Sequence, residues 1–85
     1  MVTVIELDVS TLEPPQPMRE ICEKLEQLEL GKVLHVTHRR KPVPLFEMLE
    51  SKYKYFHQEL QADDHHMWFW LSADKDAEQF VRDIK

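Results

Sequence analysis

All five prolines of this chain fall in two short clusters, Pro14-Pro15-Gln16-Pro17 and Pro42-Val43-Pro44, and neither cluster can lie inside a helix or a central strand. A proline is well accommodated in the first turn of a helix, where the amide it lacks would be unpaired in any case. The clusters therefore predict two helix starts. The first is near Pro15 to Pro17 and is followed by Met18, Ile21, Cys22, Leu25 and Leu28 at helical spacing. Arg19, Glu20, Glu23, Lys24, Glu26 and Gln27 fill the other face, and the helix should stop before Gly31, a natural left-handed cap and the single glycine of the chain. The second start, at Pro42 and Pro44, leads into Leu45, Phe46, Met48 and Leu49 and should close at Lys52-Tyr53.

Strands are expected in the intervening segments. Val2 to Asp8 is rich in β-branched and apolar residues, and Lys32 to His38 alternates, with Leu34 and Val36 on one face and Val33, His35 and Thr37 on the other. Tyr53 to Gln61 and His65 to Leu71 flank a turn at Asp63-Asp64 and read as an antiparallel hairpin. That turn would set Phe56 across from Leu71 and Leu60 across from Met67, with Tyr55, His57 and Glu59 on the opposite face near Trp68 and Trp70. Met67 to Leu71 is apolar on both faces, which calls for an interior place in the sheet with something covering each side. Ser72 to Lys85, with Ala77, Phe80, Val81 and Ile84 at helical spacing, supplies a short helix that could cover the second face or an edge.

With 85 residues the chain reads as one domain, a core over about residues 2–71 and a helical extension over about 73–84. Its 42% hydrophobic content is that of a globular domain and not of a disordered tail. Sixteen Asp and Glu against eleven Lys and Arg, a net charge of −5, disfavour a nucleic-acid partner, whose binding is driven by basic groups. Cys22 is the single cysteine, so no internal disulfide can form, and a reducing cytoplasm is the expected compartment. No apolar run approaches the ~20 residues needed to cross a bilayer, and residues 1–6 do not have the pattern of an export signal.

The order strand, helix, strand, helix, hairpin, together with Leu7-Asp8 followed by Pro-x-Pro at a helix start, resembles the bacterial TusA/SirA sulfur-carrier family. In that family a cysteine precedes Pro-x-Pro; here Pro15-Gln16-Pro17 matches the prolines and Pro14 occupies the cysteine position. A closer similarity is to the family called domain of unknown function 2249. It is carried by Leu7-Asp8, by Glu13-Pro14-Pro15-Gln16-Pro17-Met18, and by His38-Arg39-Arg40-Lys41-Pro42-Val43-Pro44-Leu45, and it covers roughly residues 5–71. The resemblance implies an α+β fold, a two-layer α/β sandwich ordered β-α-β-α-β-β, with a four-stranded mixed sheet in the order one, two, four, three and two helices on one face. It also implies an association of such proteins with hemerythrin-like domains, which is not a mechanism.

A persulfide carrier needs an exposed thiolate, which a helix N-terminus stabilises. Pro14 has no thiol, and Cys22 falls on the apolar stripe of the first helix, where a small buried core residue is the expected role. Five histidines invite a metal or redox role, but His35 and His38, three apart on a strand, project to opposite faces, as do the adjacent His65 and His66. A metal site would have to combine different elements, such as His57 with Glu59 and His66. No cofactor-binding motif, catalytic triad order or phosphate-cradling glycine loop is recognisable, so the chain reads as a non-enzyme without a cofactor.

Topology singles out another group. Parallel first and second strands would bring Glu13, Pro14, Pro15 and Pro17 to the same end of the sheet as His38, Arg39, Arg40 and Lys41, beside two helix N-termini, a combination that favours anions. The expected function is a binding or accessory module that meets an unidentified protein or a small anionic ligand at that edge, as a monomer or weak homodimer. A metal- or redox-linked component using histidines is the alternative.

Overall fold

The computed structural model describes residues 2–13, 16–40, 45, 47, 52–61 and 64–84. Its elements are β1 (Thr3–Asp8), α1 (Gln16–Glu26), β2 (Lys32–His38), β3 (Tyr53–Gln61), β4 (Asp64–Leu71) and a C-terminal helix (Lys75–Ile84). Leu45 and Glu47 are helical, within the stretch where the second proline cluster predicts a helix. Residues 42–44, 46 and 48–51 of that stretch lie outside the described residues, and at its expected close Lys52 is in a turn and Tyr53 already opens β3. The fold is the expected α+β arrangement, a four-stranded mixed sheet in the order β1-β2-β4-β3. β1 and β2 run parallel, and β4 is antiparallel to both β2 and β3.

β4 occupies the interior position that its doubly apolar sequence calls for. Met67, Trp68, Phe69 and Trp70 are all buried, and alternation sends them to opposite faces. On one face Met67 and Phe69 join Ile21, Leu25 and Leu28 from α1 and the stretch after it, Leu34 and Val36 from β2, Val9 and Leu45. On the other, Trp68 and Trp70 pack with Val33 and with Ala77 and Val81 of the C-terminal helix. The terminal helix therefore covers the second face. Ile84, expected on its apolar stripe, is instead exposed, and Phe80 is only partly buried.

The hairpin register corrects the sequence expectation. Tyr53 pairs with Leu71, Phe56 with Trp68 and His57 with Met67, and the register shifts between Glu59 and Gln61. Asp64, expected in the turn, is instead the first residue of β4 and pairs with Gln61, and the irregularity adds a residue to β3. Phe56 therefore shares the tryptophan face, whereas Tyr55 and His57 move to the α1 face, because an odd slip in register exchanges the two faces of a strand.

The end of α1 also differs from expectation. The helix stops at Glu26, and two tight turns, Gln27 N–H to Lys24 C=O at 3.2 Å and Leu28 N–H to Leu25 C=O at 3.1 Å, swing Leu28 into the core. Gly31 is not the cap of this helix. It sits in a separate turn before β2 with φ of 85°, a value that suits glycine, and its N–H donates to Asp74 Oδ2 at 2.6 Å. The other oxygen of Asp74 accepts the N–H of Ala77 at 3.0 Å, so one buried carboxylate caps the C-terminal helix and ties it to the turn that feeds β2. Asp74→Ala removes the cap and leaves the Gly31 amide without its partner, and is expected to cost about 1–3 kcal/mol in urea unfolding. Asp74→Asn, which keeps an acceptor, should lose less.

Candidate functional site

Parallel pairing of β1 and β2 sets their carboxyl ends side by side, and the loops that leave them meet. Asp8 turns the chain out of β1 by accepting both the backbone N–H of Ser10 (2.9 Å) and its hydroxyl (2.6 Å). These two hydrogen bonds, the side-chain one first, hold the Asp8 carboxyl below its ordinary range. Val9 N–H then bonds Thr37 C=O at 2.9 Å, which extends the β1–β2 ladder by one residue. From the following loop Glu13 reaches Arg39, with Oε1 3.7 Å from the guanidinium. Both side chains are well exposed, so the pair marks proximity and contributes little stability. Arg40 is exposed and has no ion-pair partner among the described residues. Pro17 is buried in the first turn of α1, where it fixes the helix start. Pro14, Pro15 and Lys41 lie outside the described residues.

His38 anchors the second loop. Its Nδ1 accepts the backbone N–H of Arg40 at 3.0 Å, which leaves the ring proton of the neutral form on Nε2. Burial of the ring, and then the nearby His65, Arg39 and Arg40, press its pKa below the ordinary 6.5.

All five histidines gather at this end of the sheet, an arrangement that spacing along the chain did not reveal. His38 is the cross-strand partner of His65, and Thr37 that of His66. On the face shared with the tryptophans, Glu6 Oε2 is 2.6 Å from His35 Nδ1, His35 Nε2 is 2.9 Å from His66 Nδ1, and His66 Nε2 is 2.7 Å from Asp64 Oδ1. The His35 ring also lies against Trp68, with centroids 4.7 Å apart and planes 14° apart. On the α1 face, His57 Nε2 is 2.9 Å from His65 Nδ1. The expected combination of His57, Glu59 and His66 does not form: the register places His57 on the opposite face from His66, with Glu59 facing His65 instead.

The geometry of the two histidine pairs defines their chemistry. Ring centroids are 5.1 Å apart in each, with planes 15° apart for His35–His66 and 13° for His57–His65. The centroid separation exceeds the nitrogen contact by roughly the two ring radii, so each pair meets edge to edge in nearly one plane. Nitrogens aimed at one another at 2.9 Å are hydrogen-bond partners; they do not converge on a third point as ligands of a metal do. The carboxylates accept only from N–H groups, so His35 turns an Nδ1–H to Glu6 and His66 an Nε2–H to Asp64. Among the described residues, no group of three His, Cys, Asp or Glu side chains is placed to hold a metal ion. Cys22 is half-buried against the α1-side core, not fully buried as expected.

The lowered pKa of His38 has a definite sign in stability. Between its folded value and 6.5, the unfolded chain binds a proton at this ring that the folded chain does not, so stability rises with pH across that window. The contribution is complete above 6.5 and is lost as pH falls through the folded value. Proton NMR titration should find His38 titrating below 6.5, and Arg39→Ala with Arg40→Ala should move it part of the way back, since burial remains. A midpoint at or above 6.5 in the unmutated protein would contradict the placement of this ring.

No helix among the described residues is long and apolar enough to cross a membrane. No curated protein and no solved structure matches the chain. A family model described as an uncharacterized conserved protein (DUF2249) matches residues 6–70 of the 85, from the end of β1 that carries Glu6 to Trp70 on β4 and including both proline clusters, and the chain belongs to that family.

Proposed function

We propose that this chain is a non-catalytic binding or accessory module, a cytoplasmic bacterial protein of sulfur-carrier-like fold without persulfide chemistry. It meets a protein or a small anionic ligand through the loops that leave β1 and β2. The reading rests on the contact between Glu13 and Arg39. That contact joins the two loops at the carboxyl ends of parallel strands, beside the N-terminus of α1, where backbone amides and the helix dipole favour negative charge. Arg39 and Arg40 add two cations there in a chain whose net charge is −5. Glu13 acts as an internal stand-in that an incoming carboxylate or phosphate displaces from Arg39.

Sulfur transfer is set aside on chemical grounds. Pro14 holds the position of the carrier cysteine and has no thiol, and Cys22 lies within α1, not at its N-terminus, and packs against the core. What remains of a carrier's reactive end is its shape and its charge.

Inorganic pyrophosphate and succinate serve as anionic probes. Titrating either into the isotopically labelled protein should shift the backbone amides of Gln16, Arg39 and Arg40, and Arg39→Ala with Arg40→Ala should weaken the interaction at least about tenfold. Equal affinity of both probes for the double variant would remove the loops as the binding edge.

A further inference from the structure

On the sheet face shared with Trp68, the side chains of Glu6, His35, His66 and Asp64 form one unbroken chain across β1, β2 and β4, with contacts of 2.6, 2.9 and 2.7 Å. Each contact is a hydrogen bond and needs one hydrogen between its two atoms. A carboxylate brings none, and a neutral imidazole brings one. With His35 Nδ1–H turned to Glu6 and His66 Nε2–H to Asp64, the nitrogens left in the middle, His35 Nε2 and His66 Nδ1, would face each other as two lone pairs at 2.9 Å. Other tautomers only move the deficit: a hydrogen placed between the rings is taken from one of the carboxylate contacts. The three contacts therefore require three hydrogens, one more than two neutral rings supply. That count is the same whether the added proton rests on an imidazole or on a carboxylate.

The surroundings suit the added charge. The His35 and His66 side chains are sheltered, 17% and 19% exposed, and a cation held there needs carboxylates close by. Glu6 and Asp64 stand at the two ends of the chain. Asp8 follows Glu6 on the same face of β1, and its carboxyl is held low first by the hydroxyl and amide of Ser10 and then by the charge of His66. β2 adds Val33 and Thr37 beside His35, neither of them charged. β3 sets Lys54, Phe56 and Gln58 opposite Trp70, Trp68 and His66, and Lys54 is engaged by Glu78 at 4.0 Å. The C-terminal helix lays Ala77 and Val81 on the tryptophans, and its Glu78 carboxylate is also met by Lys75 and Arg82. His38, His57 and His65 belong to the α1 face. Among the described strand residues, the charged side chains on the face of the ring pair are thus Glu6, Asp8 and Asp64, with Lys54 at its far end.

We propose that the Glu6–His35–His66–Asp64 chain is a proton switch: closed, it holds three hydrogens and one added positive charge, and when the third hydrogen leaves, one of its contacts opens. Two hydrogens close only two contacts. A fourth makes both rings imidazolium and sets N–H against N–H, which opens the middle contact as well. The closed chain exists at one proton count, and pH opens it in either direction. The change reaches the core because His35 lies against Trp68, with centroids 4.7 Å apart, and Trp68 packs under the C-terminal helix. The switch does not depend on whether the loops that leave β1 and β2 bind anions.

The test follows the ring nitrogens of the intact, isotopically labelled chain by NMR from about pH 5 to about pH 9. A coupling through the hydrogen bond between His35 Nε2 and His66 Nδ1 should be present where the two rings carry three hydrogens. It should vanish as alkali leaves them two, and the Trp68 indole resonance should move in the same step. Glu6→Gln, whose amide oxygen still accepts from His35, should displace that step towards acid by at least about half a pH unit, because one neighbouring negative charge is gone. His66→Gln offers amide hydrogens to both His35 and Asp64 without an added proton, so most of the pH-dependent shift of Trp68 should be lost while the circular dichroism is unchanged. The proposal is overturned if the coupling is absent at every pH, or if it persists with two hydrogens on the rings. It also falls if three hydrogens remain up to about pH 9, since a charge that never leaves is not a switch. If His66→Gln does not fold, the unmutated chain and Glu6→Gln decide.

Discussion

Met67, Trp68, Phe69 and Trp70 are consecutive, large and apolar, so a strand built from them cannot leave either face in water. Every other element answers this constraint. β2 and β3 occupy the two edges of β4, α1 and Leu45 cover Met67 and Phe69, and the C-terminal helix covers Trp68 and Trp70. The covering helix needs an anchor of its own, and Asp74 provides it by binding the helix start and the Gly31 turn at once. The same carboxylate thereby sets where β2 begins.

The placement of β4 also determines what lies at the two ends of the sheet. At its amino end Asp64, His65 and His66 meet Thr37 and His38 of β2 and the last residues of β3, which brings five histidines together on two faces. At its carboxyl end Trp70 and Leu71 lie beside the start of β3, and the C-terminal helix closes over them to form a positively charged cleft. One end is built from strand termini and imidazoles, the other from a sheet edge and a helix.

The element order, the interior position of β4, the half-faces of β2 and the start of α1 were legible in the sequence because each depends on local pattern: proline clusters, helical spacing and a doubly apolar run. Glu13 and Arg39 could likewise be placed together once β1 and β2 were taken as parallel. Strand pairing across the hairpin was not legible. The irregularity between Glu59 and Gln61 displaces the register by an odd number of residues, and that exchanged the faces of Phe56 and His57. The metal combination of His57, Glu59 and His66 failed for this reason and no other.

By itself the sequence determined which segments are strands and helices, which strand is buried on both sides, and that no thiol stands at the helix start that a sulfur carrier would use. Only the tertiary structure decided which side chains meet: His35 with His66, His57 with His65, Asp74 with Gly31, and Lys54 with Glu78. Local pattern is a property of neighbours along the chain and can be read there. Contacts between elements follow from register, twist and the lie of a covering helix, which are settled by burying Trp68 and Trp70 and leave no trace in spacing.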